Sequence, residues 1–216
     1  MNHTLTHQER TYFDQRIADA EKRTGAQIVL AVIKRSDSYV ELPWKAFALG
    51  SSTAGLLVSL CSLLRPEWTS PATVLTSVVV TLAGGGAAAL VCGFVPQFAR
   101  LFLHANRAEV EVREHANSLF LSHELFATQK RTGLLLLVSL FERQVVLLPD
   151  TGLRTCLSQD AMQKIIERMK PSLASGQTAR ALEEGLKSLE ELLAATPHGK
   201  SGKNELADKI IEEKGI

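Results

Sequence analysis

The sequence predicts a small three-layer α/β/α sandwich that is interrupted by a two-helix transmembrane hairpin. Three short apolar segments have the length and composition of strands, and helical patterns stand before and after them. Apolar strands between helices are typical of a sheet that helices cover on both faces. Two long segments without any Asp, Glu, Lys or Arg lie between the first and second predicted strands, and these predict the hairpin.

The N-terminal segment predicts an amphipathic helix from Thr6 to Thr24. Thr6 can cap this helix, because Glu9 follows it in the position of a capping box. Gly25 can end the helix, since glycine readily adopts the left-handed conformation found there. The next segment, 26–33, is almost wholly apolar and predicts a strand that is covered on both faces.

Two chargeless segments, 46–64 and about 72–96, predict the membrane-spanning helices. A hydrocarbon core of about 30 Å requires about 20 helical residues, and both segments are long enough. Trp44 and Trp68 bracket the first segment at a spacing that corresponds to about 36 Å along a helix, so both rings would lie at the interfaces. A core helix of this length normally has a polar face, and a cleavable signal peptide would lie nearer to the N-terminus.

Small residues recur every four positions in both segments, which predicts close packing of two helices in lipid. They are Ser51, Gly55 and Ser59 in the first segment and Thr81, Gly85, Ala89 and Gly93 in the second. Packing within the hairpin is the simpler interpretation, and a dimerisation face or pore lining is the alternative.

Basic residues predict the orientation of the hairpin. They concentrate at its two outer ends, whereas the connection contains Arg65 beside Glu67. Those at the outer ends are Lys34, Arg35, Lys45, Arg100, Arg107 and Arg113. The positive-inside rule therefore predicts a multi-pass protein of the inner membrane with both termini in the cytoplasm. A net charge of +1 argues against nucleic acid as a partner, so the expected partners are the lipid bilayer and a membrane protein.

The segment after the hairpin predicts one helix and two strands. The helix would run from Ala105 to Leu125, and the strands would cover 134–141 and 144–148. The buried positions predicted for the helix include Val110, His115, Leu119 and Leu121–Phe126. Because only Glu142 and Arg143 separate the two strands, they should form an antiparallel hairpin, whereas the long crossover makes the first two strands parallel.

Two further helices and a polar tail complete the chain. Ser158 should cap a helix over 159–170 that Pro171 ends, and a last helix should cover Thr178–Ala194. Its predicted apolar face consists of Ala181, Leu182, Leu186, Leu189 and Leu192. In the tail, Leu206, Ile210 and Ile211 form a pattern that could dock as a strand or a helical turn.

These elements predict three regions of the chain. A discontinuous soluble domain would comprise 1–44 and 100–196, the hairpin 45–99, and the polar tail 197–216. The hairpin is then an insertion into the crossover of one domain, since insertions are tolerated in exposed loops whose ends lie close together.

Four segments of the sequence resemble the TPM domain family, which has thylakoid and nematode proteins as its namesakes. They are Thr24–Val29, Thr128–Ser139, Phe141–Leu153 and Asn204–Lys209. The chain is similar to the bacterial subgroup in which a transmembrane hairpin interrupts the domain. The resemblance implies an α/β/α sandwich, and family members are described as weak acid phosphatases, calcium binders and auxiliary proteins of membrane complexes.

The predicted topology brings polar residues to both ends of the strands. One end gathers Thr24, Gly25, Thr128, Arg131, Thr132 and Asp150, and the other gathers Asp37, Glu142 and Arg143. A metal-assisted phosphatase needs several carboxylates, and calcium needs six or more oxygen ligands; neither end is that rich. Asp150 is the candidate metal ligand, with calcium as the cofactor it could hold. The alternative is a turn residue whose side chain caps local backbone.

Histidines offer a second candidate metal site. Glu111 and His115 stand four residues apart on one helix face, and His123 follows two turns later. A third ligand is not visible in the sequence, so a half-buried histidine on a helix face is the simpler interpretation.

Two functions follow as expectations. The first is a non-enzymatic interaction or auxiliary module that serves a membrane complex. The second is a weak, metal-assisted acid phosphatase in which Asp150 would hold the metal.

Overall fold

A computed structural model describes residues 5–64, 70–194 and 210–213 of the chain. The chain divides into two units, Met1–Asp37 with Ala108–Ile216, here called the sandwich, and Ser38–Arg107, here called the hairpin unit. Residues 65–69, which include Trp68, Arg65 and Glu67, lie outside the described part. The predicted domain limits say which parts of the chain fold as one body, and they stay a prediction.

The sandwich is built on a four-stranded mixed sheet. Its strands are β1 (Gln27–Ile33), β2 (Gly133–Ser139), β3 (Gln144–Pro149) and β4 (Ile211–Glu213), in the spatial order β3-β2-β1-β4. β1 pairs in parallel with β2 and with β4, and β2 pairs antiparallel with β3. Every residue of β1 and β2 is buried, because helices cover both faces of these strands. The predicted parallel and antiparallel pairings are confirmed.

Helices lie on both faces of the sheet, so the predicted three-layer sandwich is confirmed. One face carries α1 (His7–Thr24), α6 (Gln159–Ala174) and α7 (Thr178–Ala194). The other carries α5, of which the sandwich includes 108–122, together with the short turn Leu125–Ala127. Helix α1 begins and ends as predicted, with the Thr6–Glu9 capping box at its start and Gly25 in the left-handed conformation at its end.

Helix α5 (Ala105–Ser122) is shorter than predicted and packs through a different face. Val110 and Leu121 are exposed, and Phe126 lies outside the helix. The residues that α5 buries are Ala108, Val112, Ala116 and Leu119. Alanine lets the helix backbone approach the sheet closely, so the contact face follows small residues and the prediction from large apolar residues was wrong at those positions.

Pro171 does not end α6, contrary to the prediction. The helix continues for one more turn to Ala174, and the N–H of Ser175 donates to the carbonyl of Pro171 at 3.1 Å. Proline removes one backbone hydrogen bond of the helix. The helix tolerates this loss near its end, because few such bonds remain to be made there. In α7 the predicted bounds are confirmed, but Leu193 is the fully buried residue near the end and Leu192 is only partly buried.

The C-terminal segment docks as a strand, which confirms one of the two predicted alternatives for Ile211. Strand β4 lies beside β1 and is tied to the N-terminal segment by Glu212, which accepts the N–H of Leu5 at 2.8 Å and pairs with Arg10. Leu206 lies outside the described residues.

The hairpin unit contains the two predicted apolar helices. They are α2 (Glu41–Leu64) and α3 (Pro71–Phe94), followed by the short helix α4 (Pro96–Ala99) and a turn at Arg100–Phe102. Both long helices have the length and composition to cross a membrane. Helix α2 begins five residues before the predicted span, so that it also includes the charged residues Glu41 and Lys45.

Helices α2 and α3 pack against each other in antiparallel fashion through small residues. A Cβ added to Gly50 would lie 2.6 Å from the carbonyl oxygen of Gly84, and one added to Gly84 would lie 2.8 Å from the Cβ of Ala54. Of the predicted residues, Gly55 lies against Thr81, and Gly85 lies against Ser51. The prediction missed Gly50 and Gly84.

Gly93 does not take part in this packing, contrary to the prediction. A Cβ at that position would meet nothing within 4 Å among the residues that the structure describes. The observed contacts are those of packing within the hairpin.

We expect the change Gly50→Leu to destabilise the hairpin, because the new side chain would collide with the backbone of α3. Overpacking of this kind costs about 1–3 kcal/mol. Titration of the purified protein from a mild detergent into dodecyl sulfate, followed by tryptophan fluorescence, measures the loss of stability.

The matched control is Gly86→Leu, since a Cβ at Gly86 meets nothing within 4 Å. Its transition should lie close to that of the unchanged protein. Equal destabilisation by both changes would contradict the packing described above.

Candidate functional site

The polar residues predicted to gather at one end of the strands do lie together; this set, around Asp150, is here called the Asp150 end. The N–H of Gln27 donates to the carbonyl of Thr132 at 3.0 Å, which joins the start of β1 to the residue before β2. The N–H of Asp150 donates to the carbonyl of Gly133 at 2.8 Å, which joins the end of β3 to the start of β2. Backbone hydrogen bonds therefore position the site residues.

Asp150 is buried, with 5% of its surface exposed, and both of its carboxylate oxygens have a contact. Oδ1 accepts the N–H of Thr151 at 2.7 Å, so the side chain caps the short turn Thr151–Leu153. Oδ2 lies 2.9 Å from Nε of Arg131 but accepts no hydrogen bond among the described residues, so this contact is an ion pair without hydrogen-bond geometry. The predicted alternative, a side chain that caps local backbone, is what the structure shows.

A tight turn holds Arg131 beside Asp150. Arg131 adopts the left-handed conformation with φ of 55°, and its N–H donates to the carbonyl of Thr128 at 2.9 Å. Its guanidinium also donates to the carbonyl of Phe126 at 3.0 Å. Gly152 is needed opposite this turn, because a Cβ there would lie 2.6 Å from the carbonyl oxygen of Arg131. The loop geometry thus places a cation against the buried carboxylate.

The Asp150 end offers fewer oxygen ligands than calcium requires. Calcium takes six to eight oxygen ligands, several of them charged, whereas Asp150 already contacts a backbone N–H and Arg131. Among residues 5–64, 70–194 and 210–213, no group of three or more His, Cys, Asp or Glu side chains could hold a metal ion. Calcium binding at Asp150 stays a prediction.

The opposite end of the strands also contains a buried carboxylate, that of Glu142. Its Oε1 accepts the N–H of Ser36 at 2.9 Å and the hydroxyl of Ser36 at 2.6 Å, and its Oε2 accepts the hydroxyl of Ser139. These bonds tie the segment after β1 to the end of β2. Arg143 is exposed in the left-handed conformation, so its side chain is not part of this network.

The histidine candidates form no metal site with three ligands among the described residues. His115 is half-buried on α5 and Glu111 lies on the same helix, whereas His123 is exposed beyond the end of the helix. Burial of His115 agrees with the simpler interpretation of a histidine on a helix face.

A charged cluster that sequence reasoning missed joins α1 to α7. The guanidinium of Arg16 contacts Glu183 at 3.0 Å and Glu190 at 2.8 Å. Burial lowers the pKa of Arg16, but the hydrogen bonds to Glu190 and Glu183 outweigh this effect and raise the pKa above its ordinary value. The cluster holds two helices together and offers no proton for exchange near neutral pH.

Two surface grooves were also beyond sequence reasoning, because each depends on how neighbouring elements pack against each other. One, of about 510 Å³, lies between α6 and α7, where Arg168 donates to Ser188 and to Glu191. The other, of about 330 Å³, runs along β3 between α5 and α6. Ser172 and Ser188 were the available signal for the first groove, since they are polar residues on otherwise apolar helix faces.

We expect Asp150→Ala to lower the free energy of unfolding by about 1–2 kcal/mol, because it removes a cap and leaves Arg131 without its ion pair. Asp150→Asn should cost less, since the amide oxygen can still accept the N–H of Thr151. Guanidinium unfolding of the full chain in a mild detergent, followed by circular dichroism, measures both.

Arg154→Gln serves as the control, because Arg154 is exposed and lies four residues after Asp150. If Asp150→Ala were as harmless as this control, the capping role of Asp150 would be wrong.

Comparisons with known proteins agree with this fold. The sequence profile of the TPM domain matches residues 99–192. A comparison with curated protein sequences finds no match. The NMR structure of the BA42 protein from the psychrophilic bacterium Bizionia argentinensis is similar, with 16% sequence identity and a TM-score of 0.58 over 99% of this chain and 98% of that one. The fold is therefore shared with the BA42 protein, and the match to the TPM domain covers residues 99–192 of the chain.

Proposed function

We propose that this protein is an integral protein of the inner membrane whose TPM domain acts in the cytoplasm as a non-enzymatic interaction or auxiliary module of a membrane complex. The observation that carries the proposal is the pair of long apolar helices, α2 and α3, packed on each other through glycine. The chain fits the bacterial subgroup of the family that it resembles, in which a hairpin is inserted in the domain.

The surface of the hairpin unit supports a lipid environment. Leu56, Leu63 and Val74 are 70%, 78% and 64% exposed, and α3 contains no charged residue. Exposed apolar surface costs about 25 cal/mol per Å² in water, and monomeric soluble proteins rarely expose large contiguous apolar patches. Lipid removes this cost, so we place both helices in the bilayer as a multi-pass anchor.

Contacts within the hairpin unit support cytoplasmic termini. Arg107 forms an ion pair with Glu41 at 2.7 Å, and Lys45 donates to the carbonyl of Phe102 at 3.2 Å. Lys45 and Arg107 therefore lie at the same end of the hairpin unit. Positive charge at one end favours the cytoplasmic side for that end.

The Asp150 end supports a non-enzymatic role. The only carboxylate predicted there caps a turn and pairs with Arg131, so its charge is already compensated. A module without chemistry of its own acts through binding, and an anchor in the bilayer favours a membrane protein as the partner.

The alternative function is a weak metal-assisted acid phosphatase. One observation favours it: Oδ2 of Asp150 is buried and accepts no hydrogen bond among the described residues. If Arg131, which is half exposed, turned away, this oxygen could contact a metal ion.

The orientation is tested with single cysteines in a background of Cys61→Ala, Cys92→Ala and Cys156→Ala. Ser70→Cys, at the start of α3, should react with an impermeant maleimide in intact cells. Lys22→Cys, on exposed α1 surface, should react only after the membrane is permeabilised.

Detergent-solubilised samples of both variants give the full extent of labelling as the control. The opposite pattern would reverse the orientation, and recovery of the protein in the supernatant after membranes are pelleted would remove the anchor.

The choice between module and phosphatase is tested on the purified full chain. We expect no hydrolysis of p-nitrophenyl phosphate above the level of Asp150→Asn at acidic pH, with or without calcium or magnesium. We also expect calcium to leave the unfolding temperature unchanged.

Arg131→Gln is the informative companion variant, because it frees Oδ2 of Asp150. Metal-dependent activity in the unchanged protein that Asp150→Asn abolishes would establish the phosphatase and overturn the non-enzymatic role.

A further inference from the structure

Strand β3 is an edge strand of the sheet, and among the described residues no strand pairs with its outer side. The N–H of Asp150 points to β2, because it donates to the carbonyl of Gly133. Backbone directions alternate along an antiparallel strand, so Val146 and Leu148 also direct their N–H and C=O groups to β2. Val145 and Leu147 therefore direct theirs outward, away from the sheet.

A groove follows these outward groups. It is lined by 144–147 of β3, by Glu109 and Arg113 on α5, and by Met162 and Ile166 on α6. The strand is thus open along its backbone, although its side chains are largely covered. Open edges of this kind accept a further strand through main-chain hydrogen bonds.

We propose that β3 pairs antiparallel with β3 of a second copy of this chain, about a two-fold axis at Val146. Val145 of each copy then lies opposite Leu147 of the other, and their outward groups form four N–H···O=C bonds. Pro149 favours this register, because a two-fold axis at Leu147 would oppose the carbonyl of Val145 to a residue without an N–H. The proposal goes beyond the function proposed above and does not depend on the membrane anchor.

Two opposite charges beside β3, those of Glu109 and Arg113, can pair with the same two residues of a second copy related by a two-fold axis. Glu109 and Arg113 are both exposed, and they stand four residues apart on the wall that α5 forms. In the proposed dimer the axis passes between these two positions, so that Glu109 of one copy would face Arg113 of the other. Opposite charges arranged in this way favour an isologous partner over an unrelated strand.

The register is tested by disulfide formation in membranes that contain the full chain without its three native cysteines. Val146→Cys should cross-link to itself on mild oxidation, because residues on the axis form a non-hydrogen-bonded pair with Cα atoms about 4.5 Å apart. Leu148→Cys, on the same face of β3, is the matched control. It should not cross-link, because the two cysteines would be about 13 Å apart.

The interface is tested by charge reversal, since Glu109 and Arg113 are exposed and their replacement leaves the core intact. Glu109→Arg and Arg113→Glu should each weaken the dimer about tenfold in a mild detergent, measured by light scattering over a range of concentrations. The double variant Glu109→Arg with Arg113→Glu should restore the dimer, because it restores the complementarity.

Cross-linking at position 146 alone, together with rescue by the double variant, supports the proposal. It is overturned if the folded chain stays monomeric and Val146→Cys does not cross-link in membranes, or if Leu148→Cys cross-links as fast. It is equally overturned if Val146→Cys links to a different protein, since β3 would then accept a foreign strand. Circular dichroism of each variant confirms that it is folded.

Discussion

The parallel pairing of β1 with β2 is the interaction on which the rest of the structure depends. It joins Gln27 to Gly133 and Ile33 to Ser139, two parts of the chain that the hairpin unit separates in sequence. Both strands are wholly buried, so their backbone groups must find partners within the sheet. Because this pairing aligns the starts of both strands, it also brings together the loops that form the Asp150 end.

The buried carboxylates of the sandwich serve the strand ends and the turns beside them. Glu21 accepts the N–H of Ile28 at 2.6 Å near the start of β1, Glu142 accepts the N–H of Ser36 beyond the end of β1, and Asp150 accepts that of Thr151 beyond β3. A buried charge is costly unless it is hydrogen-bonded or paired, and these contacts meet that requirement. Burial of these carboxylates therefore has a structural cause, although Oδ2 of Asp150 accepts no hydrogen bond among the described residues.

Sequence reasoning succeeded where side-chain patterns determine the structure. The capping box at Thr6, the end of α1 at Gly25, the strands and their directions all follow from local composition and chain connectivity. The grouping of Arg131 with Asp150 followed from topology, but their ion pair did not, since it depends on the left-handed turn at Arg131. That conformation leaves little trace in composition, because arginine rarely adopts it.

Two of the errors, on α5 and in the hairpin unit, concern positions at which small residues set the closest approaches. On α5, Ala108 and Ala116 face the sheet while Val110 faces outward, and in the hairpin unit Gly50 and Gly84 bring two backbones together. On α5 a search for large apolar residues passes over such positions, whereas in the hairpin unit the search for small residues chose a neighbouring register that missed Gly50 and Gly84.

The open side of β3 was hidden for a related reason. Helices on both faces make the strand as apolar as a central one, so Val145 and Leu147 carry the signature of full burial. A strand is central if its outward backbone groups also pair with a strand, and it is an edge strand if they do not. The amino-acid sequence of the strand does not distinguish these two cases. An interface made by backbone groups therefore has to be inferred from the pairing of strands. The register of β2 and β3 indicates it, whereas no sequence motif does.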